Sequence, residues 1–209
     1  MEKLVISEAT IMATTVIIDA SKALTAGRPN YFLKGPRCFD DEQLRQLRAY
    51  VDQQGAPAEV MSDIGQNTVT DVRRTQVCWL DMDQHRWVYD LVWTIATTAN
   101  QLLRFDLAPT PEKIQLACYD VKEAAFFEWH ADTVPSDMTR KISMSVPLNE
   151  PAEYEGGMLE LNQGTSAVRV EQAPGVPIIF PSWLIHRVTP VTRGRRYSLV
   201  AWVRGPNWR

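Results

Sequence analysis

From Lys141 to Leu148 and again from Arg196 to Val203 the chain alternates between two kinds of side chain, and this period of two fixes most of what it can fold into. In the first run Ile142, Met144, Val146 and Leu148 share a face. In the second, Arg196, Ser198, Val200 and Trp202 fall on one side of a strand, with Tyr197, Leu199, Ala201 and Val203 on the other. Short strands punctuated by Pro and Gly continue this pattern through the second half. Upstream the interval changes. Leu44, Leu47, Tyr50 and Val51 recur at helical spacing over residues 41–54, with Asp40 or Asp41 as the N-cap, and Trp87, Leu91, Val92, Ile95 and Leu102 do so over residues 86–104. The expected class is mainly β with supporting helices (α+β): a double-stranded β-helix, related to the jelly roll, with the eight strands of that architecture in two facing sheets. The 209 residues suit one domain. Within it we expect an N-terminal extension over 1–30, a helical support region with strands over 31–114 and a β-helix core over 115–209.

The chemistry-bearing residues sit inside this pattern. His130-Ala131-Asp132 follows the aromatic run Phe126-Phe127-Glu128-Trp129. In an extended strand, residues two apart project to the same side, so His130 and Asp132 reach one ion while Ala131 turns away. His186 follows an apolar run, Val176 to Phe180, and a Pro-bounded turn, which places it just beyond a strand end, able to converge from across a barrel. Two imidazoles and one carboxylate occupy one face of an octahedral Fe(II) and leave three positions for an organic acid and dioxygen. Arg196 and Ser198 share a strand face. A planar guanidinium makes two parallel hydrogen bonds to a carboxylate, and a nearby hydroxyl can add a third. Of the chain's three histidines, the remaining one, His85, lies in a polar stretch and reads as an ordinary exposed side chain. Arg193 and Arg195 read as a solvated basic turn.

These motifs resemble the 2-oxoglutarate and Fe(II)-dependent oxygenases, and within them the prolyl 4-hydroxylase-like branch found in bacteria and phages. The resemblance runs through Tyr119 to Asp132, through Glu155-Gly156-Gly157-Met158-Leu159-Glu160-Leu161, and through His186-Arg187-Val188-Thr189-Pro190-Val191-Thr192 into Arg196-Tyr197-Ser198. A looser likeness extends through Asp71 to Leu80, similar to the segment that precedes the support helix in these enzymes. It implies that His130, Asp132 and His186 are iron ligands and catalytic. It also implies that Arg196 pairs with the distal carboxylate of 2-oxoglutarate, with Ser198 and Tyr119 beside it. The implied reaction converts 2-oxoglutarate and O2 to succinate and carbon dioxide while an unactivated C–H bond is hydroxylated, with ascorbate as reductant. A prolyl residue of a peptide or protein is the implied substrate, and a free amino acid or small metabolite the alternative. One departure stands out: Asp120-Val121-Lys122-Glu123-Ala124-Ala125 lacks the glycine that relatives commonly carry in this turn.

Charge and composition exclude other classes. A net charge of −3 gives no overall field for phosphate, so oxidative demethylation of nucleic acid is disfavoured, although Arg187, Arg193, Arg195, Arg204 and Arg209 could form a local patch. A non-catalytic β-helix binding module would lack the ligands or the anchor arginine, and a cupin-like isomerase or storage module would offer a third His and a Glu at other spacings. Cys38, Cys78 and Cys118 are odd in number and widely spaced, which argues against disulfides and structural zinc and for buried thiols. No stretch has the length of a membrane span, and Met1 to Glu8 lacks the layout of a secretion signal. The expected location is the cytoplasm, or a host cytoplasm for a phage source. No internal repeat, coiled coil or low-complexity linker is present.

Overall fold

The computed structural model describes residues 24–207 apart from 26–27, 30, 59, 63–64, 68–70, 110–111, 136 and 165. The chain opens with β1 (Leu24–Thr25), β2 (Arg28–Pro29) and β3 (Leu33–Lys34), then α1 (Asp41–Gln54). Next come β4 (Ala56–Pro57), β5 (Val60–Ser62), β6 (Gly65–Asn67), β7 (Arg73–Arg74) and β8 (Gln76–Trp79), followed by α2 (Arg86–Leu103). Then follow β9 (Gln115–Asp120), β10 (Phe126–His130), β11 (Arg140–Pro147), β12 (Tyr154–Gly156) and β13 (Leu159–Asn162). The last four are β14 (Ala167–Arg169), β15 (Ile178–Pro181), β16 (His186–Val188) and β17 (Val191–Arg204).

Two sheets carry the architecture. The larger runs β3-β15-β11-β17-β9-β8-β4, with β12 paired to the start of β17, and the smaller runs β14-β13-β16-β10-β7. Strands distant in sequence become neighbours, as β10 and β16 or β9 and β17 do, and their pairings are antiparallel. Neighbours of this kind give the crossing connectivity of a jelly roll, as expected. Separate hairpins join β1 to β2 and β5 to β6.

The two faces of the larger sheet serve different ends. Ile142, Met144, Val146, Leu199, Ala201, Val203, Leu116 and Cys118 pack with Leu44, Leu47, Val88, Ile95 and Ala99 of the helices into the main core. The opposite face of the same strands carries Ser143, Ser145, Arg196, Ser198, Ala117 and Tyr119. Two smaller clusters lie off the main core, one of Val77, Ala117, Tyr119, Ala125, Val188 and Val191, the other of Leu159, Leu161, Ile178, Phe180 and Leu184. The apolar face expected of β11 is therefore the one that faces the helices, and its polar alternates face the smaller sheet.

Helix α1 begins as expected. Asp40 accepts from the Gln43 N–H at 2.8 Å and its own N–H donates back to Gln43 Oε1 at 3.0 Å, a reciprocal cap. Helix α2 departs from the expected stripe: Leu102 is 46% exposed, and Ala96 and Ala99 take the buried positions that let the helix lie close to the sheet. His85 corrects the sequence reading outright. It is fully buried at the N-cap of α2, because its ring packs edge-on against Tyr50 of α1 and its Nδ1 lies 3.0 Å from the Asp81 carbonyl. Polar neighbours in sequence hid a contact made by a different helix. Cys78 and Cys118 are buried as expected. Cys38 is only partly covered as a residue, though its thiol donates to the Gly175 carbonyl, and burial pushes all three thiols up to about 12. Among the described residues no helix is long and apolar enough to cross a membrane.

Truncating Leu116, which is fully buried between sheet and helices, is expected to cost about 2–5 kcal/mol. Leu102→Ala, on the exposed side of α2, should stay within about 0.5 kcal/mol. Urea denaturation of the two variants beside the parent protein measures the contrast.

Candidate metal centre and anion pocket

His130 ends β10 and His186 opens β16, and the two are direct partners across that antiparallel pair. The register slips between Phe127 and His130, where three residues of β10 span two of β16. This bulge re-aims the end of the strand. Asp132 lies beyond the strand, in a bend held because its N–H and that of Thr133 both donate to the Ser182 carbonyl, at 3.0 and 3.3 Å. The expected alternation of His130 and Asp132 along one strand is thus replaced by a strand end and a turn. His186, expected past a strand end, is instead the first residue of a strand, after a tight turn closed by Leu184 N–H on the Pro181 carbonyl.

The three side chains meet between the sheets. His130 Nε2 lies 3.7 Å from Asp132 Oδ1, His186 Nε2 3.5 Å from Asp132 Oδ2, and one donor atom from each falls within 4.8 Å of the others. His130 Nδ1 lies 2.7 Å from the Glu128 carbonyl and His186 Nδ1 2.8 Å from the Leu184 carbonyl. A carbonyl only accepts, so each Nδ1 carries a proton, and in the neutral imidazole the lone pair is then on Nε2, the nitrogen nearest Asp132. Ser143 Oγ donates to Asp132 Oδ2 at 2.6 Å and lies 2.9 Å from Ser182 Oγ. The Trp202 side chain also helps to lower the Asp132 pKa. Burial, then the adjacent His186, holds the His130 imidazole down to about 3 against the pull of Asp132. Burial works against ionised Asp132, but His186 and His130 outweigh it and keep the carboxyl below its usual range. Two imidazole nitrogens and one carboxylate oxygen this close together are a donor set for a divalent transition metal.

A second group lies on the inner face of the larger sheet. Arg196 is 1% exposed and is the register partner of Tyr119, whose ring centre is 5.2 Å from the guanidinium carbon. Arg196 Nη1 donates to Ser198 Oγ at 3.2 Å, and Nε and Nη2 donate to Gln172 Oε1 at 3.2 and 2.9 Å. Among the described residues no carboxylate pairs with it. Gly157, in the left-handed region at φ 57, makes room: a Cβ there would come within 2.9 Å of Arg196 Cδ. A buried guanidinium held only by neutral acceptors suits an incoming carboxylate.

The other arginines proposed as a local basic patch do not form one. Arg187 pairs with Glu160, Arg193 with Glu155, Arg195 with Asp52, and Arg204 with Glu112 and Asp137, while Arg209 lies outside the described residues. The turn without glycine is also resolved. Residues Val121–Glu123 form one 3-10 turn and Ala124 itself takes the left-handed conformation, at φ 43.

Sequence reasoning missed Ser143, Ser182, Gln172 and Tyr154. Ser143 had a signal, since it alternates with Ile142 and Met144. Gln172 and Ser182 lie in irregular segments where no period announces an inward side chain. Tyr154 is buried near Arg196, and burial raises its phenol with Arg196 opposing.

Residues 114–204 match the model of the 2OG-Fe(II) oxygenase superfamily. The chain is 40% identical over 62 residues to a PKHD-type hydroxylase of Sphingopyxis alaskensis, covering 30% of this chain and 28% of that protein. It is 30% identical over 128 residues to a PKHD-type hydroxylase of Shewanella frigidimarina, covering 57% of each. The chain therefore spans less than two thirds of the length of these curated relatives. Among solved structures, a prolyl-4-hydroxylase of Pseudomonas putida superposes with a TM-score of 0.65 at 22% identity, over 85% of this chain and 94% of that one. A prolyl hydroxylase of Trichoplax adhaerens, in complex with a peptide fragment of the hypoxia inducible factor oxygen degradation domain, gives 0.69 at 17% identity, over 84% of each. The fold is shared with both.

Ser143→Ala removes the hydroxyl that steadies Asp132 and should weaken Fe(II) or Co(II) binding by about 10–100-fold, read by calorimetry under argon. A second outcome concerns acid. The folded protein protonates His130 near pH 3, the unfolded chain near about 6.5, so the unfolded state binds more protons in between. Stability of the metal-free protein should therefore rise as pH climbs from about 3 to about 6.5 and lose this dependence above it. Denaturant midpoints at pH 5 and pH 7 test the slope, which His130→Asn should reduce.

Proposed function

We propose that this protein, whose residues 114–204 match the model of the 2OG-Fe(II) oxygenase superfamily, is an Fe(II)- and 2-oxoglutarate-dependent dioxygenase that hydroxylates a prolyl residue of a peptide or protein. The observation that carries the reading is the pairing of two features in one inter-sheet space. A three-donor cluster of two imidazoles and a carboxylate stands on the side of the smaller sheet, and the larger sheet supplies a buried guanidinium with no carboxylate partner among the described residues. His130, Asp132 and His186 would hold the iron. Arg196, with Ser198 and Tyr119, would hold 2-oxoglutarate by its distal carboxylate. Bound together, iron and 2-oxoglutarate supply the activation of dioxygen for C–H hydroxylation, with succinate and carbon dioxide as the other products.

The chain's own part is to place and enclose. Arg196 offers a planar fork that fixes both position and orientation of a carboxylate, and Gln172 keeps that fork from rotating. Tyr119, Val188 and Val191 share one buried apolar cluster, which would keep water from a cosubstrate held by Arg196. The Phe127 ring stacks on His130 with centroids 3.5 Å apart, which fixes the plane of that imidazole. Trp129, Trp183 and Ile185, which adjoin the ligand residues in sequence, are exposed and would offer an extended peptide apolar contacts. The likeness to prolyl hydroxylases, one of them solved with a peptide, supports the peptide substrate.

Purified protein supplied with Fe(II), ascorbate and 2-oxoglutarate should release succinate, and His130→Ala should abolish it. Arg196→Ala should raise the 2-oxoglutarate requirement at least tenfold, a loss of about 1.4 kcal/mol or more. Proline-containing peptides should gain one oxygen by mass spectrometry only when 2-oxoglutarate is present. A protein that neither binds metal nor makes succinate sinks the reading.

A further inference from the structure

Most arginines of the described residues sit beside a carboxylate. Among those whose side chains are described, four have no ion pair: Arg74 and Arg104, which are exposed, and Arg73 and Arg196, which are not. Arg196 has a role in the reading above, whereas Arg73 has none. It stands on β7 directly opposite Phe127 of β10, and its side chain crosses to the larger sheet, where Nη2 donates to Gln115 Oε1 at 2.8 Å. Its guanidinium carbon lies 4.6 Å from the centre of the Phe127 ring, the ring that stacks on His130. Its Nε is buried and has no partner. Tyr119, which touches Arg196, also hydrogen-bonds Arg73, and the Asp132 carboxylate lies close enough to favour the Arg73 charge, so the Tyr119 side chain is shared by the two cations.

An arginine stays charged at any pH the protein meets. Taking that charge out of water costs several kcal/mol unless an anion or a full set of acceptors compensates, and the Gln115 amide oxygen, the Phe127 ring face, the Tyr119 side chain and the Asp132 charge still leave Nε without an acceptor. Arg73 is thus a charged donor kept near the candidate metal centre with one N–H, the buried Nε, unmet, apart from the Arg196 fork. A group that meets this N–H should be anionic, planar and held next to the oxidised carbon. We propose that Arg73 is a substrate-recognition residue that takes a carboxylate of the substrate. This rests on the oxygenase reading above and narrows its substrate class to carboxylate-bearing molecules. The carboxylate comes from a free amino acid, from a C-terminal residue or from an acidic side chain beside the modified one. All three offer the same planar anion to the same N–H.

The test is equilibrium binding, independent of turnover. Protein loaded with 2-oxoglutarate and Zn(II), which does not support oxidation, is titrated by calorimetry with three pairs of probes. They are L-proline against L-prolinamide, Gly-Gly-Pro against its C-terminal amide, and an amidated Gly-Pro-Glu against amidated Gly-Pro-Gln. At least one carboxylate probe should bind tenfold or more tightly than its partner, and the pair that does so identifies the source. Arg73→Gln should erase that preference and Arg73→Lys should restore part of it. The wild-type comparison needs no variant and stands even if Arg73→Gln folds poorly. No preference in any pair overturns the proposal, as does a preference that survives Arg73→Gln. Loss of 2-oxoglutarate affinity in Arg73→Gln with the preference intact overturns it too, by assigning Arg73 to the cosubstrate. Absence of succinate formation alongside an Arg73-dependent preference would remove the oxygenase reading and leave the recognition role standing.

Discussion

The antiparallel pairing of β11 with β17 is the constraint on which the rest depends. From Ile142↔Val203 to Pro147↔Ser198 the two strands stay in register, so their alternation is in phase and each face is uniform. One face is hydrocarbon and carries the helices. The other is polar, buried and turned toward the smaller sheet, with Ser143, Ser145, Arg196 and Ser198 along it. A slip of one residue would exchange the two faces, sending Arg196 under α2 and leucine into the pocket. The chemistry of the interior is therefore fixed by the same hydrophobic effect that fixes the fold.

The polar face is costly, and the structure limits that cost by spacing. Buried Ser143 and Ser182 satisfy each other, Arg196 leans on Gln172 and Ser198, and Arg73 on Gln115 and Phe127. Neutral acceptors keep the two guanidinium groups in place without neutralising them. A carboxylate in the place of Gln172 would hold Arg196 more firmly and would also compete with any anionic ligand. The choice of an amide there reads as a compromise between a stable empty pocket and one that can be filled.

Much of this was legible in the sequence because period and residue type agreed. Helix α1 came with its cap at Asp40, β11 and β17 with their faces, and Arg196 with Ser198 on one of them. His130, Asp132 and His186 converge as their types suggested, yet by other local routes: a bulge after Phe127 and a bend at Asp132 replace the simple alternation. What escaped the sequence was set by tertiary contact. His85 is buried by Tyr50 of another helix, Leu102 is displaced from the core by small alanines, and Gln172 reaches Arg196 from an irregular segment. Arg73 and Arg74 are adjacent and chemically alike; only the strand pairing with Phe127 and Phe126 tells the inward one from the outward one.

The Ser182 carbonyl receives the N–H groups of both Asp132 and Thr133, while Ser143 bridges Asp132 to the Ser182 hydroxyl. Ser182 lies in the turn that leads to His186, so the backbones bearing two of the three donors are fastened to each other before any ion arrives. Donor loops tied in this way cannot swing out one at a time. The pocket then behaves as a rigid clasp instead of a closing hand: ligation costs little ordering entropy, and an ion of the wrong size meets a frame that does not adjust to it.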